Sequence, residues 1–210
     1  MIAEKLLACC RATFGSANTI ALYVSSTAPD GAPPLPVVHD GLFSASGVVV
    51  ASGALQFSAG DMLITRTQPS TAVGTQDFAV DMFFDDALPL FFAGYGESYG
   101  IVYCDSASSV IYVSTSGAGF EHSIPMTIGA GTHHVCVGRQ SGVVSAWLDG
   151  VRIYRAPDTT PSVSLATGVS IGALALPYTG VVRDFRVTVG IDLYGDSATI
   201  TVPTLPLGIV

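Results

Sequence analysis

The sequence predicts an all-β fold, an antiparallel β-sandwich, on three observations. From residue 41 onward, short apolar runs alternate with turn residues at about the 8–12-residue spacing that is typical of sandwiches. Asp149-Gly150 lies between two such runs, and this dipeptide tolerates the positive φ angles of a tight hairpin turn. In residues 76–85 apolar and acidic side chains alternate, which predicts one buried and one solvated face: Phe78, Val80, Met82 and Phe84 against Asp77, Asp81 and Asp85.

Residues 1–40 are predicted to form an arm for attachment or oligomerisation. Apolar residues at spacings of about three to four predict a short amphipathic helix within residues 2–14. A strand over 19–25 and a proline-rich, extended linker over 27–36 follow, which places the domain boundary near residue 40. The residues expected to make the attachment contacts are Ile2, Leu6, Leu7 and Phe14.

The sandwich itself is predicted to span residues 41–210. Residues 183–189 alternate in the same way as 76–85, with their charged positions facing solvent. Residues 143–148 are apolar on both faces, so we expect an interior strand there, with Trp147 in the core. The candidate strands cover residues 47–51, 53–58, 61–65, 76–85, 88–93, 99–104, 109–115, 120–126, 132–139, 143–149, 151–155, 168–172, 180–189 and 199–202.

Composition argues against several classes of partner. The net charge is −8 and the eight basic residues form no cluster, so no nucleic-acid partner is expected. The acidic balance opposes anionic lipid, and no apolar run reaches the ~18 residues that span a bilayer, so no membrane partner is expected. Only 11% of residues are charged and 49% are hydrophobic, which predicts a folded subunit partly hidden in an assembly. We expect free thiols in a reducing cytosol at Cys9, Cys10, Cys104 and Cys136.

Four segments between Gly53 and the C-terminus resemble the laminin-G-like branch of the concanavalin A-like lectin/glucanase superfamily. They are residues 53–63, 78–84, 131–150 and 178–190. The resemblance covers roughly residues 45–206 and implies a jelly-roll sandwich. The last segment, followed by Val202-Pro-Thr-Leu-Pro206, is similar to versions found in bacteriophage virion proteins.

The sequence lacks the paired catalytic carboxylates of the glucanase relatives, and we therefore expect the chain not to be an enzyme. Glucanase relatives carry a Glu-x-Asp-x-x-Glu strand, because retaining hydrolysis needs two carboxyls about 5–5.5 Å apart. The three glutamates, Glu4, Glu97 and Glu121, form no such motif. His133 and His134 are neighbours on a predicted strand, so they face opposite sides and cannot hold one metal ion together.

Calcium and sugar are the two ligands for which the sequence offers candidate residues. Many laminin-G-like relatives hold one Ca²⁺ through loop oxygens, and Asp61 and Asp105 are the candidate donors here. No clustered Asp-x-Asp loop is present, so we expect no cofactor, with Ca²⁺ as the alternative. For sugar, the glycine-flanked segment 94–100 carries two aromatic rings and a carboxylate: Tyr95, Tyr99 and Glu97.

Three functions are therefore carried forward. The first is a non-enzymatic bacteriophage virion structural protein, a capsid decoration or tail-associated subunit. It would associate with other virion proteins and with itself, and be found in the virion after folding in the host cytoplasm. The viral part of this expectation comes from the resemblance alone. The alternative is a carbohydrate-binding adhesion module that recognises a host-surface glycan, and the second alternative is a calcium-dependent protein-interaction domain.

Overall fold

The computed structural model consists of two antiparallel β-sheets that pack face to face, which confirms the predicted sandwich. The predicted helix within residues 2–14 lies outside the residues that the structure describes. Within the described ranges, no helix is long and apolar enough to cross a membrane. These ranges are 19–24, 30, 43–66, 77–89, 91–93, 102–115, 119–158, 168–172, 178–190, 193–204 and 207.

The described residues form fifteen strands, most of them within a few residues of the predicted positions. In chain order they are β1 Thr19–Val24, β2 Phe43–Ser46, β3 Val49–Ala51, β4 Ala54–Phe57, β5 Met62–Arg66, β6 Phe78–Asp85, β7 Phe91–Ala93, β8 Val102–Asp105, β9 Val110–Val113, β10 His122–Pro125, β11 Thr132–Gln140, β12 Val143–Leu148, β13 Val151–Pro157, β14 Gly168–Ile171 and β15 Gly180–Val189.

The larger sheet has eight strands, in the order β13-β12-β11-β6-β15-β4-β3, and β1 also pairs with β15. The smaller sheet has seven, in the order β10-β9-β8-β7-β14-β5-β2. β1 lies within the predicted arm, yet its residues extend the larger sheet. β12 has a neighbour on each side, as expected for residues 143–148.

Two predicted details of strand placement are wrong. The sequence does not predict β2, whose Phe43-Ser-Ala-Ser46 run has few strand-forming residues. Residues 199–202 are predicted as a strand but make one isolated bridge, from Thr199 to Val151. Pro203 follows directly and has no N–H with which to extend that pairing.

The core lies between the two sheets and is built by the alternation seen in the sequence. On β6, the four apolar residues predicted to face inward are all in the core. From the smaller sheet, alternate residues of β8, β9 and β10 meet them. Burial of such side chains stabilises the fold by roughly 1.5–3 kcal/mol each. The largest fully buried side chains are Phe84, Phe185, Leu55, Leu63, Met82, Leu88, Ile111, Ile124 and Ile171.

The hairpin between β12 and β13 turns at Asp149-Gly150, as predicted. Asp149 has φ 50° and Gly150 has φ 82°, the positive values that a two-residue turn of this kind requires. The Asp149 carboxylate also accepts a hydrogen bond from the backbone N–H of His134, at 2.8 Å. The turn is therefore fixed to β11 as well as closed on itself.

Along β6 and β15 the outer face of the larger sheet is largely buried, which corrects the prediction for residues 76–85 and 183–189. Asp81, Asp184, Arg186 and Thr188 are all buried. Residues 193–207 lie over this face, and we call them the covering segment. Their residues Leu193, Tyr194 and Ile200 pack against an outer cluster of Ala79, Cys136 and Trp147. Leu207 donates its N–H to the Asp184 carboxylate. Trp147 is thus buried, but on the outer face and not between the sheets.

Candidate functional site

Three aromatic side chains meet on the outer face of the smaller sheet, and we call them the aromatic patch: Tyr103 on β8, Tyr112 on β9 and Phe120 before β10. The ring centroids of Tyr103 and Tyr112 are 6.0 Å apart, those of Tyr103 and Phe120 5.8 Å, and those of Tyr112 and Phe120 5.0 Å. The ring planes of Tyr103 lie within 19° of Tyr112 and 17° of Phe120. The rings form one continuous aromatic surface.

Strand alternation and register place the two tyrosines side by side. The residues that flank each tyrosine on β8 and β9 are in the core, so the tyrosines point outward. The register pairs Tyr103 directly with Tyr112, and Tyr112 with Ser123 on β10. Such cross-strand neighbours have Cβ atoms only ~4.5–5.5 Å apart. Phe120 completes the patch and is 37% exposed.

Polar groups border the aromatic patch. Asp105 follows Tyr103 on the same face of β8, and its carboxylate accepts hydrogen bonds from Ala107 N at 3.0 Å and Ser108 Oγ at 2.6 Å. Burial raises the pKa of Tyr103, and the charge of Asp105 acts in the same direction. The Tyr103 hydroxyl is therefore protonated at neutral pH.

The two carboxylates predicted as calcium donors each close a local turn. Asp61 Oδ2 accepts a hydrogen bond from Ser58 N at 2.6 Å, and Asp105 bonds Ala107 and Ser108 as described above. Among the described residues, no group of three or more His, Cys, Asp and Glu side chains could hold a metal ion. Calcium binding at Asp61 and Asp105 stays a prediction.

Two further sets of predicted residues lie outside the described residues. The predicted sugar-binding segment with Tyr95, Glu97 and Tyr99 falls in residues 94–100, between β7 and β8. The predicted attachment residues fall in residues 1–18, and they are Ile2, Leu6, Leu7 and Phe14. Both assignments stay predictions.

The register confirms that His133 and His134 face opposite sides of β11. His133 lies opposite Phe84, whereas His134 lies opposite Phe83 on the other face. The His133 ring bonds the Asp149 carboxylate at 2.8 Å. Each histidine thus has its own surroundings, and the pair does not act as one site.

A buried ionic cluster lies under the cover of the larger sheet, and we define it as Asp81, His134, Arg186 and Tyr194. Arg186 donates two hydrogen bonds to Asp81 Oδ2, at 2.9 and 3.1 Å. His134 Nε2 lies 3.1 Å from Asp81 Oδ1, which also accepts the Tyr194 hydroxyl. The cluster joins β6, β11 and β15 to the covering segment.

The surroundings of Asp81 keep it ionised although it is fully buried. Burial acts to raise the pKa of Asp81, but the hydrogen bond from His134 and the positive charge of Arg186 outweigh it and hold the pKa below its usual value. Burial raises the pKa of the neighbouring Cys136 thiol well above its usual value. Asp81, His134 and Arg186 are buried, and their bonds to Asp81 together with that of Tyr194 hold residues 193–207 against the sheet.

Sequence reasoning missed the aromatic patch because its three rings come from separate segments. The sequence pattern favoured the glycine-flanked residues 94–100, in which two tyrosines lie close together along the chain. The signal that could have found Tyr103 and Tyr112 is the alternation itself, since each interrupts a run of aliphatic or thiol side chains in its strand. Phe120 follows a glycine-rich turn and carries no periodic signal.

The fold is shared with known structures of low sequence identity. A sialidase of Trypanosoma rangeli, solved in complex with sialic acid, matches with a TM-score of 0.59 and 12% identity, over 84% of this chain and 32% of the sialidase. A mutant of the protein HCR/D matches with a TM-score of 0.63 and 10% identity, over 81% of this chain and 48% of that one. The binding domain of botulinum neurotoxin DC, in complex with SialylT, matches with a TM-score of 0.57 and 9% identity, over 83% and 49%.

The matching structures contradict the prediction that the chain is not an enzyme. About a third of the sialidase chain shares this fold, so the missing Glu-x-Asp-x-x-Glu strand does not exclude enzymatic activity. No family model matches the chain, and no curated protein does. The chain spans about a third of the sialidase and about half of the toxin domain, and identities this low establish the fold alone. By its structure, the chain is a lectin-like β-sandwich of the broad kind found in these proteins.

Proposed function

We propose that this chain is a carbohydrate-binding domain and that the aromatic patch is its sugar-contacting surface. The observation that carries the proposal is the cluster of three touching rings on the outer face of the smaller sheet, with Phe120 37% exposed. On the larger sheet, by contrast, Trp147 and its neighbours are covered. The three rings of the patch, in comparison, are all at least partly exposed.

The chemistry of the patch suits a sugar ring. One face of a pyranose is lined with C–H groups that pack against aromatic rings, and its hydroxyls reach outward to polar groups at the edge. Such aromatic contacts contribute about 0.5–1.5 kcal/mol beyond the area that they bury. The Tyr103 hydroxyl and the side chain of Ser123 supply polar groups at the edge.

The fold comparisons support a glycan ligand and indicate which class to test first. One matching sialidase was solved with sialic acid, and one matching toxin binding domain was solved with SialylT. Sialylated glycans are therefore the first class to present to the aromatic patch. Neutral glycans belong in the same test, because stacking on aromatic rings does not require a charge.

A glycan array tests this proposal, with two surface variants for comparison. We expect the wild-type chain to bind a subset of glycans, and Phe120→Ala to lose most of that signal. Val151→Ala is the matched control, because Val151 is another exposed apolar residue, 57% exposed, on the larger sheet. It should bind as the wild type does.

Two outcomes would overturn the proposal in different ways. An array without any bound glycan would contradict the carbohydrate-binding function. Glycans that bind equally well to wild type, Phe120→Ala and Tyr112→Ala would contradict the aromatic patch as the site and would direct attention to Tyr95, Glu97 and Tyr99.

The virion function stays a proposal that rests on the sequence resemblance and on the low charge of the chain. Deleting residues 1–18 removes the predicted attachment residues and leaves β1 in place, since β1 begins at Thr19. We expect the shortened chain to fold and to lose association with virion proteins or with itself. Unchanged assembly would contradict the attachment function.

The calcium-dependent alternative is tested by stability. A bound ion stabilises the native state by mass action, so chelation with EDTA should lower the melting temperature if Asp61 or Asp105 holds calcium. A structural ion at Asp105 would be contradicted if EDTA left the melting temperature of the wild type unchanged and if Asp105→Asn melted at the same temperature as the wild type.

A further inference from the structure

A small cleft opens on the outer face of the larger sheet, on the opposite side of the sandwich from the aromatic patch. It lies between β11, β12 and the covering segment, and it contains about 300 Å³, much of it open to solvent. Its floor is lined by small residues, since Gly138 has no side chain and lies directly opposite Ser145 in the register. A cleft this shallow accepts a substituent of a ligand and not a whole sugar ring.

The apolar wall of the cleft is fixed in position. Trp147 and Tyr194 line it, with ring centroids 6.1 Å apart. The indole N–H of Trp147 donates to the carbonyl of Ser197 at 3.0 Å, and the Tyr194 hydroxyl bonds Asp81. Because both polar atoms are used in these bonds, the rings are held in place before any ligand arrives, which lowers the entropic cost of binding.

One residue of the cleft has a buried side-chain oxygen without a hydrogen-bond partner. Gln140 lines the cleft, and its side-chain oxygen is buried without a hydrogen-bond partner among the described residues. A buried acceptor left unpaired is costly, so a ligand that brings an N–H or O–H donor gains from pairing with it. Ser145 lines the same cleft and has a hydroxyl that can donate to a ligand.

We propose that this cleft is a second carbohydrate subsite that takes the acetamido group of an N-acetylated sugar. The group supplies a methyl for the wall of Trp147 and Tyr194, an N–H for the Gln140 oxygen, and a carbonyl that accepts from Ser145. A plain hydroxyl in the same place offers a donor but no methyl. The subsite extends the proposed carbohydrate binding and does not depend on the aromatic patch.

Trp147 is the only tryptophan of the chain, so its indole N–H gives a single, assigned signal in a proton–nitrogen NMR spectrum. The experiment titrates the ¹⁵N-labelled full chain with the methyl glycoside of N-acetylglucosamine and, separately, with methyl glucoside. We expect a saturable shift of the Trp147 signal with the acetamido sugar and about tenfold weaker binding, or none, with the glucoside. The same response to both sugars, or no response to either, would overturn the proposal.

A variant locates the contact within the cleft. Gln140→Leu keeps a side chain of similar size but removes the acceptor, and we expect it to weaken binding of the acetamido sugar by about tenfold. Gln56→Leu is the control, because Gln56 is a partly buried glutamine on β4 that does not line the cleft. Equal affinity of Gln140→Leu and wild type would contradict the assigned contact.

The proposals for the aromatic patch and for the cleft can be contradicted independently of each other. Phe120→Ala should weaken glycan binding at the aromatic patch about tenfold and leave the Trp147 response unchanged. A Trp147 response that disappears in Phe120→Ala would show that the cleft is not a separate site. An array signal without a Trp147 response would overturn the subsite and leave the proposed function intact.

Discussion

The outer faces of the two sheets carry residues placed by the same strand alternation, yet the larger sheet is covered along β6 and β15, whereas the smaller sheet is partly exposed along β8 and β9. On the larger sheet, Asp81 and Arg186 alternate with core residues and are buried under a segment that includes Tyr194. On the smaller sheet, Tyr103 and Tyr112 alternate with core residues in the same way and remain partly exposed. Alternation therefore decides which way a side chain points, and the rest of the chain decides whether it meets solvent.

The difference has a chemical consequence for each face. Under the cover, charges are neutralised in a cluster that fixes the covering segment to the sheet. On the outer face of the smaller sheet, which we call the open face, Tyr103 and Tyr112 are partly exposed and Phe120 is 37% exposed. The stability and reactivity predictions for the covered face come first, from the largest expected effect to the smallest, and the binding test of the open face comes last.

The largest effect is expected from breaking the buried ionic cluster. Asp81→Asn leaves Arg186 buried without its carboxylate, so we expect the free energy of unfolding to fall by about 3–5 kcal/mol in chemical denaturation. In the double variant with Asp81→Leu and Arg186→Met the unpaired charge is absent, so most of the loss should be recovered. If Asp81→Asn lowered the free energy of unfolding by less than about 1 kcal/mol, water would have to reach Arg186 on the outer face of the larger sheet.

The alternation of β6 shows how much of the fold could be predicted. Phe78, Val80, Met82 and Phe84 enter the core as expected, because a period of two is a local property of the strand. The burial of Asp81 could not be predicted, since Tyr194 lies more than a hundred residues away along the chain. The same limit applies to the aromatic patch, which joins Tyr103 and Tyr112 to a loop residue, Phe120.

The hairpin that supports the cover should be the next most sensitive position. Gly150 has φ 82°, and a Cβ there would lie 2.7 Å from the carbonyl oxygen of Ile200. We expect Gly150→Ala to lower the free energy of unfolding by about 1–2 kcal/mol through the left-handed conformation, with the contact adding to it. Gly129→Ala is the control, because nothing lies within 4 Å of a Cβ there. If Gly150→Ala and Gly129→Ala were equally stable, the requirement for glycine at position 150 would be contradicted.

Two of the described cysteines are buried, and they report on different parts of the sandwich. Cys104 lies between the sheets, and Cys136 lies under the covering segment. Burial raises the pKa of both thiols, so both should resist alkylation in the native state. In Tyr194→Ala we expect Cys136 to react about tenfold faster, measured on its peptide by mass spectrometry, because the cover opens more often. Faster reaction of Cys104 to the same extent would indicate global unfolding.

The smallest effect is expected on the pH dependence of the melting temperature, through the His133–Asp149 pair. The hydrogen bond to Asp149 raises the pKa of His133, partial burial opposes it, and the Asp149 charge adds to the rise. The pair therefore stabilises the fold fully below about pH 6.5, the unfolded value, and the contribution is lost as pH rises through the folded pKa. We expect the melting temperature to decline slightly from below about pH 6 to above about pH 8. In His133→Gln that decline should be absent, and its persistence there would assign it to another group.

The open face is tested most directly by calorimetry with the glycan that binds best on the array. The measurement compares the dissociation constants of wild type, Phe120→Ala and the control Val151→Ala. We predict about tenfold weaker binding for Phe120→Ala, from the loss of the ring contact, and unchanged binding for Val151→Ala. Equal dissociation constants for all three would contradict the aromatic patch as the sugar-contacting surface.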